Sequence, residues 1–271
     1  MAGSNLELII RLGFFFGIFA IMALWELKSP RRPLRGAKLF RWCNNLGITF
    51  FNTLLLRLLF PAAAVGVALY VSQQQWGVLN QIDLPLWLEV TLAVVILDLC
   101  IYLQHRLFHH LPWLWRLHMM HHSDVDLDVT SGARFHPIEI ILSMLIKMAL
   151  ICLLGPAVIA ILIFEVTLNG VAMFNHSNVR IPARIDRLLR CFVVTPDMHR
   201  VHHSVIKRET NSNYGFNLPW WDRLFGTYRA QPEKGHDQMV IGLQQFQQPK
   251  AQSFTWLLRL PFKASGGGYD R

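Results

Sequence analysis

Asp98-Leu-Cys-Ile-Tyr102-Leu-Gln-His105-Arg-Leu-Phe-His109-His110-Leu-Pro-Trp-Leu-Trp-Arg-Leu-His118-Met-Met-His121-His122 holds six of the chain's 12 histidines, at the exit of an apolar segment. A second cluster, His199-Arg-Val-His202-His203, repeats the HxxHH spacing about 80 residues downstream. His136 and His176 lie between the two, and only His236 stands outside this set. Isolated histidines serve many roles, but imidazoles crowded in this way are the pattern of metal ligation.

Helical spacing sharpens the reading. Residues at i, i+3 and i+4 project from one side of a helix, which brings together His118, His121 and His122, and likewise His199, His202 and His203. Thr195-Pro196-Asp197 reads as an N-cap with proline in the first turn. Asp98, Tyr102, His105 and His109 share one helical stripe. His109 completes it better than His110, although a one-residue shift is also usable. Asp98 and Tyr102 are expected to accept or share a hydrogen bond with a ligating imidazole and fix its orientation. Asp98 is costly inside an apolar span unless it is paired.

The two HxxHH clusters with His105 and His109 supply eight imidazoles, and His176 and His136 would raise the supply to ten. One ion is satisfied by four to six ligands, so the set suits two metal ions. Imidazole alone does not choose among iron, copper and zinc. His236, among Gly and Asp, is expected to be solvated. Trp113, Trp115, Trp220 and Trp221 read as interfacial anchors. The four cysteines form no CxxC pair, so neither a disulfide framework nor a thiolate site is expected.

Hydrophobic residues make up 53% of the 271 and charged residues only 16%, with a mean hydropathy of +0.32. A soluble domain carries about 25% charged residues, so the composition is that of an integral membrane protein. Apolar segments run from about 8 to 27, from 48 to 71 with interruptions at Arg57 and Pro61, and from 84 to 103. The stretch from Ile138 to Phe174 is long enough for two spans and is broken at Gly155-Pro156, which predicts a hairpin. Of the 26 Lys and Arg, 23 fall in the 28–41 loop, between His105 and His136, or after Asn175. If that basic side is cytoplasmic, the spans alternate and every histidine motif lies on one face. The net charge of +9 is therefore assigned to the membrane interface, with no nucleic-acid partner expected. The expectation is an all-α integral membrane protein with four to five transmembrane helices and a cytoplasmic helical cap carrying the histidines. Three regions are expected: 1–83 with two spans, 84–229 carrying the chemistry, and a tail over 230–271.

At this point the motifs resemble the fatty acid hydroxylase/sterol desaturase superfamily. His105-Arg-Leu-Phe-His109, His118-Met-Met-His121-His122 and His199-Arg-Val-His202-His203 look like its three histidine boxes. Arg134-Phe-His136-Pro137, Asn175-His176-Ser177, Asn213-Tyr214-Gly215 and the run from Trp221 to Tyr228 agree with its flanking pieces, so the resemblance covers about 84 to 229. It implies a membrane-bound, non-haem di-iron oxidoreductase that uses O2 and two electrons on an unactivated C–H bond of a lipid. The eight box histidines and His176 would be the ligands, with His136 as a further candidate and Asn175 as a support. Hydroxylation is the leading expectation, and desaturation or C-4 methyl oxidation would use the same site. Electrons must come from an external donor, because the chain has no haem-attachment or flavin motif. An acidic cytochrome-b5-like or ferredoxin-like protein, with its reductase, fits a basic face. A metal transporter would instead need ligands along a path through the bilayer. The C-terminal Gly-Gly-Gly-Tyr-Asp-Arg has no retrieval signal, which favours a bacterial cytoplasmic membrane over the endoplasmic reticulum.

Overall fold

The computed structural model describes residues 2–263, so the expectation drawn from the C-terminal Gly-Gly-Gly-Tyr-Asp-Arg lies outside the described residues. Five segments are long and apolar enough to cross a membrane: Leu6–Lys28, Lys38–Gln73, Leu86–His110, Pro137–Leu154 and Val158–His176. The chain is a multi-pass, all-helical membrane protein. Among the described residues the only strand-like pairings are two isolated bridges.

Helix α1 is Ala2–Lys28, and the second span is two helices, α2 (Lys38–Leu59) and α3 (Ala63–Gln73). Helix α2 starts ten residues before the apolar run because Arg41 and Asn45 are buried against the cap. It passes through Arg57 and breaks only at Pro61, after which Ala63 takes a left-handed φ of 50°. Helix α4 (Leu86–His110) continues the third apolar segment through the first box, as the stripe to His109 requires, since no breaker intervenes before Leu111-Pro112. Helices α6 (Pro137–Leu154) and α7 (Val158–His176) form the expected hairpin, after the short α5 (Pro112–His122). Gly155 caps α6 at φ 63°, and its amide reaches Ile151 O. A Cβ there would stand 2.3 Å from Trp76 O, so glycine is required on two counts.

The remaining helices build the cap: α8 (Ala183–Leu189), α9 (Pro196–His202), α10 (Lys207–Thr210), α11 (Trp220–Leu224), α12 (Gly235–Gln238) and α13 (Phe254–Lys263). The apolar stretch in the C-terminal region is α13, whose Leu257 and Leu260 pack on Trp115, Met119 and Met120 of α5 and Ile48 of α2. Asp124 and Asp128 follow α5 and clamp Arg41: Nε and Nη2 donate to Asp124 at 2.6 and 2.8 Å, and Nη1 donates to Asp128 at 2.6 Å. Arg41 is therefore a buried tie between α2 and the cap, not part of an exposed basic loop. Arg134, which flanks the boxes in sequence, donates from Nε to Met120 O at 3.0 Å and fixes the end of α5. Burial raises the Asp124 carboxyl, but Arg41 and Arg134 more than offset this and hold it well below the usual carboxylate range.

Candidate metal centre

Helices α4, α5, α7 and α9 each deliver imidazoles to one buried point. They sort into two groups, His105, His109, His118, His122 and His202, and His121, His176, His199 and His203. Within each group one ring nitrogen per residue lies within 4.8 Å of all the others. The groups adjoin, with the rings of His122 and His203 stacked at 4.5 Å.

Each HxxHH box is split between the groups, contrary to the expectation that its three histidines converge. Helical geometry supplies the reason. Successive residues turn by about 100°, so the adjacent pair diverges while the i, i+4 pair stays aligned. His118 and His122 accordingly go to one group and His121 to the other, and His199 and His203 part from His202 in the same way. Thr195 caps α9 as predicted, accepting from Met198 N, and His203 follows as the last residue in register.

Hydrogen bonds fix the tautomers. His105, His176 and His202 place Nδ1 against the carbonyls of Tyr214, Ala172 and Ser212 at 2.8, 2.8 and 2.7 Å. A carbonyl only accepts, so each Nδ1 carries the proton and each Nε2 is a bare lone pair. His118 Nδ1 lies 2.7 Å from Glu139 Oε1 and donates to that carboxylate. The bare nitrogens nevertheless crowd together. His105 Nε2 lies 3.1 Å from both His118 Nε2 and His202 Nε2. Nε2 of His176 lies 3.2 Å from His121 Nε2 and 3.1 Å from His199 Nε2. Lone pairs facing one another in a buried site are unfavourable unless a cation lies between them, and His109 Nε2 and both nitrogens of His122 have no partner at all. The donor set fits metal ions. Burial also pushes His118 down to about 3 and His121, His122, His199, His202 and His203 well below the ordinary imidazole value, with neighbouring rings adding to the last five. All six are neutral and free to ligate.

Several expected residues lie elsewhere. His136 belongs to neither group: Nδ1 accepts from Ile138 N as the N-cap of α6, and Nε2 contacts Leu258 O at 3.2 Å. His110 is exposed, with Nδ1 on Arg106 O. Asp98 touches no imidazole. It receives Asn217 N, Leu218 N and Trp221 Nε1, and so pins the loop whose Tyr214 carbonyl orients His105. Asn175 donates to Phe216 O of the same loop, and Tyr102 bonds Thr227, whose carbonyl accepts from Asn213 N at the start of that loop. Trp221 is thus a donor to Asp98, and Trp115 is buried against His109 and His122, so neither is an interfacial anchor. His236 is buried beside Asp197, not solvated.

Two supports escaped the sequence reading. Glu139 is one; its signal was a carboxylate in the first turn of an apolar helix, which burial makes costly without a partner. Asp222 is the other, accepting the amides of Tyr214 and Gly215 at 2.8 Å each and so closing the loop over His105.

The fatty acid hydroxylase family model matches residues 90–227, which include all nine grouped imidazoles. Ornithine lipid hydroxylase OlsE of Rhizobium tropici is 36% identical over 148 residues, 55% of this chain and 44% of that protein. Human alkylglycerol monooxygenase is 31% identical over 160 residues, 58% of this chain and 33% of the relative. Rat cholesterol 25-hydroxylase is 25% identical over 146 residues, 53% of this chain and 48% of its own. The chain thus spans less than half the length of each of these curated relatives. No solved structure matches. With the family model covering the helices that carry every grouped histidine, the chain belongs to the fatty acid hydroxylase family.

Proposed function

We propose that this protein is a membrane-bound, di-iron, O2-dependent hydroxylase of a lipid C–H bond. The observation that carries the reading is the pair of adjoining imidazole groups, one of which opens through His105 and His118 onto a cavity between the membrane spans. In the balanced reaction, C–H, O2, two electrons and two protons give C–OH and water. Bound iron would supply the reduction of O2 and the C–H cleavage, chemistry that zinc lacks.

The chain's own residues do the rest. His105, His109, His118, His122 and His202 hold one ion, and His121, His176, His199 and His203 hold the other. Glu139 and the carbonyls of Tyr214, Ala172 and Ser212 keep the facing nitrogens bare. Burial keeps bulk water from the site. The electrons come from an acidic redox protein docking on the basic side, which is cytoplasmic by the distribution of Lys and Arg. The distant relatives named hydroxylase and monooxygenase agree with oxygen insertion, and the bacterial one suits a bacterial membrane.

Lipids extracted from cells expressing the protein should contain a species heavier by one oxygen, and 18O2 should label it. His118→Ala should remove it. A product lighter by two hydrogens would instead establish desaturation, and a product retained in His118→Ala would refute the assignment.

A further inference from the structure

The spans enclose a cavity of about 1050 Å³, at the upper end of what small-molecule ligands fill. His105, His118 and Glu139 line it, as does the α2–α3 break at Pro61. A pocket for a hydrocarbon tail needs only apolar walls. The walls of this one are mostly apolar, but Asn52, Arg57, Ser143 and Lys147 also line it from membrane-spanning helices. Lys147 is balanced by Glu165 at 2.7 Å, and Glu165 also takes Arg11 at 2.6 Å.

Three other groups are not balanced. Asn52 Oδ1 and Glu139 Oε2 are buried and have no hydrogen-bond partner. The Arg57 guanidinium also lines the cavity; it is exposed there, with no hydrogen bond or ion pair among the described residues. Two lone buried acceptors call for N–H or O–H donors, and an unpaired guanidinium on a membrane-spanning helix calls for an anion. Arg57 follows Asn52 by five residues, about 8 Å along α2 at 1.5 Å per residue.

We infer that this cavity admits the polar head of an amphiphile, with a hydroxyl or N–H donor at Asn52 and Glu139 and an acidic group, carboxylate or phosphate, at Arg57. The oxidised carbon then lies in or beside the head. The polar head then enters the cavity toward the histidines instead of staying at the basic face. The inference rests on the hydroxylase reading and names its substrate class.

Binding tests it without turnover. Four single-chain probes are titrated into the purified, iron-loaded protein and read by native mass spectrometry. N-palmitoylserine carries donors and a carboxylate, 1-palmitoyl lysophosphatidate a donor and a phosphate, 1-palmitoylglycerol donors only, and methyl palmitate neither. An acidic probe should bind most tightly and methyl palmitate least, and whichever acid leads assigns the anion. Arg57→Gln should weaken the leading acid about tenfold, the scale of one charge-assisted contact, and leave 1-palmitoylglycerol unchanged, and Arg57→Lys should restore part of the loss. Methyl palmitate binding as tightly as the acids would overturn the inference. So would an Arg57→Gln variant that treats charged and neutral probes alike. The expected binding series with no O2-dependent product would sink the hydroxylase reading alone, whereas product with a flat series would sink this inference alone.

Discussion

At the residue scale, His105, His109, His118, His176 and His202 are each oriented by what Nδ1 touches. Glu139 is the one carboxylate that does this, through Nδ1 of His118. Glu139→Gln can keep a hydrogen bond but not the charge that makes the ring a stronger donor to metal. Iron affinity, measured by competition with a chelator, should fall about 10- to 100-fold, and unchanged retention would remove Glu139 from the site. The same imidazoles make the metal-free protein sensitive to acid. Burial holds the six HxxHH imidazoles below the ordinary 6.5, to about 3 for His118. Between the folded and unfolded values the unfolded chain binds more protons, so stability is full above pH 6.5 and is lost as the pH falls below it. The thermal midpoint of the metal-free protein should drop from pH 7.5 to pH 5.5, and a flat profile would contradict neutral, buried rings. The histidine boxes were legible because HxxHH spacing has little other use. The roles of Asp98 and Tyr102 were misplaced because a stripe on one helix does not reveal which distant loop lies against it.

At the element scale, the site depends on how α5 is held. Its eleven residues are too few for stable isolated helix. Arg41 of α2 and Arg134 lock its exit, with Arg41 and Asp124 nearly inaccessible at 1% and 0% side-chain exposure. Arg41→Ala would strand Asp124 and Asp128 as buried charges. That costs about 3–5 kcal/mol and should appear as loss of folded protein at elevated temperature, with loss of iron following. A variant as stable as the parent would show that the clamp is solvated. The hairpin is the contrasting case. Gly155-Pro156 announced its position in the sequence, and α6 and α7 end and begin on either side of it. By contrast, the α2 start at Lys38 and the α13 packing could not be read from hydropathy, since both are set by contacts with the cap. Gly155→Ala should lower stability by about 1–2 kcal/mol for the left-handed φ alone, with the approach to Trp76 O adding to it.

At the scale of the whole molecule, four helices from both halves of the chain meet so that two imidazole groups share one buried centre above a cavity between the spans. Apolar length gave the spans in advance, because bilayer thickness acts on segments one at a time. The division of nine histidines into five and four could not be seen in advance, because it depends on how four helices are rotated relative to one another. The account's central claim is that these groups are two metal sites. Iron per chain, determined on protein purified from iron-replete cells, tests it most directly. Two irons are predicted for the intact chain, with fewer in both His122→Ala and His203→Ala. A single iron in the intact chain, or an undiminished pair in either variant, would contradict it.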